Sequence, residues 1–82
     1  MSIFLIYGVS DCPHCLRASA LLMEKDLEYV FINMDFSKTY RDQMKAEWVW
    51  PTFPIVVKLS DDRSAQRIGG FEELKEQIDE QC

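Results

Sequence analysis

Ile3-Phe4-Leu5-Ile6-Tyr7-Gly8 runs, one short loop later, into Asp11-Cys12-Pro13-His14-Cys15-Leu16-Arg17-Ala18, and this junction decides the fold. Ile3 to Tyr7 is an unbroken apolar run closed by glycine, the pattern of a strand buried on both faces. Asp11-Cys12-Pro13 then opens a helix, because the first helical turn tolerates proline's missing N–H. Ala18, Leu21, Leu22 and Lys25 keep helical spacing, and the apolar members would face a sheet. Tyr29 to Met34 is a second apolar run. The first forty residues therefore spell β-α-β, with a right-handed crossover and parallel strands expected.

Further along, Ser37 or Lys38 to Glu47 predicts a more polar helix with Tyr40 and Met44 four residues apart. Trp48-Val49-Trp50-Pro51-Thr52-Phe53-Pro54 follows, where two prolines forbid a helix and impose an extended path. Ile55 to Leu59 is a third strand, Ser60 to Ser64 a turn, and Ala65 to Gly69 a short fourth strand. From Gly70 a last helix carries Phe71, Leu74 and Ile78 at i, i+3 and i+7. The order is β-α-β-α-β-β-α over one domain, residues 1–82, an α/β fold with a four-stranded mixed sheet flanked by three helices.

Composition narrows the function classes. Of 82 residues, 48% are hydrophobic and 12% aromatic, enough to supply a core and too many for a disordered chain. Fourteen acidic side chains against nine basic give a net charge of −5, which repels phosphate backbones and argues against nucleic acid. Apolar runs fall far short of the roughly 18 residues a bilayer span needs, so no membrane partner is expected. The amino-terminal stretch lacks a basic region and a cleavage site, so a cytoplasmic setting is expected. Acidity is uneven: the last third carries Asp61, Asp62, Glu72, Glu73, Glu76, Asp79 and Glu80, while Lys38, Arg41 and Lys45 line one face of the second helix.

Three cysteines stand at 12, 15 and 82, which is not the framework of a disulfide-stapled mini-protein. Cys12 and Cys15 begin a helix, where unpaired N–H groups and the macrodipole favour negative charge. A Cys12 thiolate accepting those N–H groups should have its pKa drawn below about 8.5. Residues i and i+3 on a helix have Cα atoms roughly 5 Å apart, within reach of a disulfide. One thiol is thus placed to attack a mixed disulfide and the other to resolve it. Zinc is the alternative, but it wants four ligands and only His14 and Cys82 remain nearby in kind; no metal is expected. Cys82 reads as a spare thiol, with a disulfide-linked dimer as its alternative; a monomer is expected.

Taken together, Tyr7 to Ala18, Thr52-Phe53-Pro54 and Ile68-Gly69-Gly70-Phe71-Glu72-Glu73-Leu74 resemble the glutaredoxins, in the family's order and spacing. The resemblance implies the thioredoxin-like fold and thiol–disulfide exchange through Cys12 and Cys15, tuned by Pro13 and His14. It implies glutathione as co-substrate, no bound cofactor, and disulfide-containing proteins as partners, ribonucleotide reductase among them. It also implies a cis Phe53–Pro54 bond that presents the Phe53 backbone to an extended substrate, with Thr52 beside it. Pro51 is left trans. Gly69, Gly70, Phe71 and Glu72 would hold the γ-glutamyl end of glutathione, with Glu72 or Glu73 receiving its ammonium group. The alternative for the two glycines is a simple bend into a capped helix.

Two positions depart from the family pattern. Val9 stands where many glutaredoxins have lysine, and His14 where tyrosine is common. Arg41 is the expected substitute cation, with Lys38, Lys45 and Arg17 as further candidates. A charged imidazole beside Cys12 would stabilise the reduced form and lift the reduction potential to or above about −200 to −230 mV. Trp48 is expected in the core and Trp50 at the rim of the cleft. The rival readings are a redoxin of the same fold served by thioredoxin reductase and a metal or iron–sulfur carrier; the latter family type usually has Cys-Gly-Phe-Ser.

Overall fold

The computed structural model describes residues 2–81. Its elements run β1 Ile3–Gly8, α1 Pro13–Glu24, β2 Tyr29–Asn33, α2 Lys38–Trp48, β3 Ile55–Leu59, β4 Ala65–Gly69 and α3 Phe71–Gln81. The sheet order is β2-β1-β3-β4. β1 and β2 pair in parallel, with Phe4 opposite Tyr29 and Gly8 opposite Asn33. β3 runs antiparallel to both β1 and β4, so the sheet is mixed as the sequence predicts.

Alternation along β1 divides the core between two faces. Phe4 and Ile6 pack with Ala18 and Leu22 of α1, Val56 of β3, and Leu74 and Ile78 of α3. Leu5 and Tyr7 point the other way, toward Ile55, Val57, Met34 and the α2 residues Tyr40 and Met44. Helices therefore cover both faces, which is why β1 reads as an unbroken apolar run and β3 as one interrupted only by Lys58. Ile6, Leu22, Ile55 and Leu74 are fully buried. Each stabilises the fold by about 1.5–3 kcal/mol relative to an exposed side chain. β2, for all its apolar sequence, is a sheet edge, and Val30 stands exposed. Its neighbour on one side is solvent, a placement that only the tertiary order decides. Among the described residues no helix is long and apolar enough to cross a membrane.

Local chemistry sets the helix ends. Ser37 caps α2, its hydroxyl oxygen accepting the Tyr40 N–H at 3.1 Å. At the far end the chain turns through Val49 in the left-handed region, φ 52° and ψ 54°, closed by the Trp50 N–H on Lys45 O at 3.0 Å. A β-branched residue is disfavoured there, and the Val49 side chain is 76% exposed, so little burial offsets the strain. Val49→Gly is expected to stabilise the protein by about 0.5–1 kcal/mol after glycine's entropic cost. Thermal unfolding should then rise by roughly 2–8 °C; an unchanged or lower midpoint would contradict this account of the turn.

Candidate active site

The β1–α1 junction places Cys12 as the N-cap of α1 with extended backbone, φ −148° and ψ 97°, and Pro13 in the first turn. Cys12 and Cys15 are joined as a disulfide with Cα atoms 5.2 Å apart, close to the spacing expected from i and i+3. The Cys15 N–H donates to Cys12 Sγ at 3.2 Å. No acidic side chain occupies the first turn of α1, and the unpaired N–H groups of that turn favour negative charge on Cys12. Cys15 is fully buried, whereas Cys12 keeps partial exposure. The pair is asymmetric: one sulfur meets solvent and the other lies beneath it.

Gly8 makes that burial possible. A Cβ there would stand 2.8 Å from Cys15 Sγ and 3.0 Å from the Phe31 ring. The end of β1 is thus a floor on which the buried sulfur rests.

The loop before β3 supplies the other wall. Phe53–Pro54 is cis, and Phe53 O lies 3.8 Å from Cys12 Sγ. A cleft of about 250 Å³ opens beside the disulfide, lined by His14, Trp50, Thr52, Phe53, Pro54, Gly70, Phe71, Glu72 and Glu73. All three sequence landmarks thus converge on one cavity. His14 lies against the Phe71 ring with centroids 6.2 Å apart, and Arg17 Nη1 approaches His14 Nδ1 at 3.5 Å.

The two acids at the start of α3 are not equivalent. Glu73 reaches back to accept the Gly70 N–H at 2.9 Å, the N3 half of a capping box. Glu72 is exposed, lines the cleft, and makes no hydrogen bond or ion pair among the described residues. Gly69, at φ +128°, needs glycine twice over, since a Cβ would also meet Glu73 Cγ at 2.9 Å and the Trp50 ring at 3.1 Å.

Arg41 is not where the sequence suggested. Its Nη1 donates to Met34 O and Asp35 O, both at 3.0 Å, so it braces the β2–α2 loop and does not line the cleft. Lys38 pairs with Asp42 at 2.8 Å. Lys45 alone of that basic face reaches the site, its Nζ 5.1 Å from the Phe53 ring centre. Spacing put three cations on one side of a helix, but side-chain reach and the acceptors left by the neighbouring loop decide which one turns to the site. Trp48 and Trp50 both pack on the core beneath α2, and Trp50 also lines the cleft. Sequence reading missed Arg67, whose guanidinium stands 4.9 Å from the Trp50 ring centre; only an arginine two residues before the glycine pair hinted at it. Cys82 lies outside the described residues. Among the described residues, no three His, Cys, Asp or Glu side chains gather as a metal site.

Asp35 ties the β2–α2 loop to the loop bearing Cys12. The Ser10 hydroxyl and the Ser10 N–H donate to its two carboxylate oxygens, the N–H at 3.0 Å. These bonds, the hydroxyl's first, hold the carboxyl below its ordinary value of 3.8. A depressed folded-state value adds stability above the unfolded value, and that stability is lost as pH falls through the folded one. An NMR titration should therefore place the Asp35 midpoint below 3.8, and Ser10→Ala should move it up toward that value. An unmoved midpoint would remove Ser10 as the cause.

A thioredoxin-like sheet, an asymmetric cysteine pair at a helix start and a cis-proline loop against it define a thiol–disulfide oxidoreductase. The glutaredoxin family model matches residues 4–61, and the chain belongs to that family. It is similar to the glutaredoxin of Brucella melitensis, with 27% identity, a TM-score of 0.70, and coverage of 94% of this chain and 78% of that one. Glutaredoxin 1 of Francisella tularensis, solved with cacodylate, is 26% identical, with a TM-score of 0.68 and coverage of 98% and 95%. A buckwheat glutaredoxin solved with glutathione shares the fold at 18% identity, TM-score 0.76, covering 94% and 68%. No curated protein sequence matches the chain.

Proposed function

We propose that this protein reduces mixed disulfides of glutathione and disulfides of proteins, with glutathione as its reductant. The observation that carries the reading is Cys12, the partly exposed sulfur of the pair, 3.8 Å from the Phe53 carbonyl of a cleft that holds the exposed acid Glu72. In the reduced protein, the Cys12 thiolate attacks one sulfur of the substrate disulfide. A mixed disulfide forms with Cys12, and the other sulfur leaves as a thiol. Cys15 then attacks Cys12 Sγ, releasing the second thiol and leaving the Cys12–Cys15 disulfide. Two electrons have passed to substrate; two glutathione molecules return them and leave as glutathione disulfide.

The cleft residues support a glutathionyl group. Glu72 receives its α-ammonium, and the first-turn N–H groups of Phe71 and Glu72 lack acceptors within the helix and suit its γ-glutamyl carboxylate. Glu73 is already engaged as the cap. Lys45, beside Phe53, takes the role expected of Arg41 toward the glycyl carboxylate. The backbone of Phe53 pairs with the extended substrate. Ribonucleotide reductase is proposed among the protein acceptors, and the cytoplasm as the setting, where the glutathione pool is reducing.

Reduction of a glutathionylated peptide, coupled to glutathione reductase, tests the reading beside a parallel assay coupled to thioredoxin reductase. Turnover in the first is expected. Turnover only in the second would replace glutathione with a reductase as the electron source.

A further inference from the structure

We propose that Arg67 is a positioning residue that holds Trp50 as a fixed wall between the two substrate-binding segments, and so sets the affinity for glutathionylated substrates. The proposal rests on the glutathione reading above and goes beyond it in assigning a residue outside the cleft.

Arg67 lies on β4 opposite Val57 of β3, and its side chain crosses to the far end of α2. Nη1 donates to Val49 O at 2.9 Å and Trp48 O at 3.2 Å, at a helix end whose last carbonyls lack partners and carry partial negative charge. The same guanidinium covers the Trp50 ring at 4.9 Å. One planar side chain therefore fastens the α2 terminus and the indole together.

Trp50 stands at the point where this matters. Its six-membered ring abuts Gly69, its Nε1 lies beside Gly70, and it lines the cleft with Phe53 and Glu72. The Phe53 backbone and the Gly69–Gly70 start of α3 thus meet the substrate from either side of this indole. No hydrogen bond orients it among the described residues, where Trp50 Nε1 is buried without a partner. Packing and the Arg67 stack alone keep the ring in place. Without Arg67, the Val49 turn loses its external donor, the indole gains freedom, and the two segments lose their common spacer. Arg67 does not line the cleft and leaves the sulfur chemistry alone.

The test compares wild type, Arg67→Ala and Arg67→Lys in steady-state reduction of a glutathionylated peptide at saturating glutathione. Arg67→Ala is expected to raise KM about fivefold with kcat within about twofold, the signature of lost substrate binding. Arg67→Lys, which restores the charge without the fork, should recover part of the loss. Alkylation of Cys12 by iodoacetamide should proceed at the wild-type rate in both. Acrylamide quenching of tryptophan fluorescence should increase in Arg67→Ala. Ser37→Ala, which loses a cap at the other end of α2, serves as a control for stability and should keep the wild-type KM. An unchanged KM in Arg67→Ala, or an equal rise in Ser37→Ala, overturns the proposal. If wild type turns over no glutathionylated peptide, the glutathione reading fails and the substrate role of Arg67 fails with it. Quenching still decides the clip in that case, and equal quenching in wild type and Arg67→Ala refutes it.

Discussion

Replacing Cys12 with serine is expected to lower disulfide reduction by on the order of 10³-fold or more, as loss of an attacking nucleophile does elsewhere. The corresponding change at Cys15 should behave differently. Cys12 is the partly exposed sulfur at the helix start, receives the Cys15 N–H, and lies 3.8 Å from the carbonyl of Phe53, a residue of the cleft wall. Cys15 is fully buried and can meet only Cys12. A substrate disulfide therefore has one point of attack. Cys15→Ser removes the internal resolving thiol but leaves that point intact. Reduction of a protein disulfide should stall at the mixed disulfide, while a glutathionylated peptide, whose adduct free glutathione can resolve, should still turn over. Coupled assays on both substrates, with mass spectrometry of the trapped adduct on Cys15→Ser, check the asymmetry. Full activity in Cys12→Ser would show that the chemistry is misassigned. A peptide adduct found on Cys15 of the Cys12→Ser variant would show that burial does not select the nucleophile.

What could be read in the chain and what could not divides along a physical line. Periodicity and apolar runs marked β1 to β3 and the helices, because burial on two faces leaves β1 without a polar position and β3 with Lys58 alone, while β4 was marked by the turn before it. Cys12-Pro13-His14-Cys15 was legible for a similar reason: a proline and a capping sulfur specify a helix start from neighbouring residues alone. Contacts set by long side chains were not legible. Arg41 and Lys45 are equivalent in helical spacing, yet one bonds to the Met34 and Asp35 carbonyls and the other reaches Phe53. Arg67 joins residues 18 and 19 positions away, across a fold that had first to be assembled. The edge position of β2 was hidden likewise, since Tyr-Val-Phe-Ile reads the same in the middle of a sheet as at its border. The choice between Glu72 and Glu73 fell to the geometry of the helix start, where only the N3 side chain reaches the cap N–H.

Gly8→Ala should affect stability and chemistry together, since the backbone that ends β1 also supports the buried sulfur. The added methyl would stand 2.8 Å from Cys15 Sγ, 3.0 Å from Phe31 Cζ and 3.2 Å from Cys15 Cβ. None of these atoms is the free end of a mobile side chain: Cys15 is bonded to Cys12, and Phe31 packs against the core. Either α1 lifts from the sheet or β1 bows away from it. Overpacking of this kind costs about 1–3 kcal/mol. For a domain of this size that lowers the thermal midpoint by roughly 4–24 °C, which circular dichroism would resolve. The chemical consequence follows from where the displacement falls. Moving Cys15 away from its seat lengthens the approach to Cys12 Sγ, so the resolving step should slow more than the first attack. Reduction of a protein disulfide should drop further than reduction of a glutathionylated peptide, and the rate of Cys12 alkylation should hold. A midpoint within about 2 °C of wild type, which corresponds to less than about half a kcal/mol, would mean the floor yields without cost. Equal losses on both substrates would mean that the damage is general and that Gly8 serves the strand end alone.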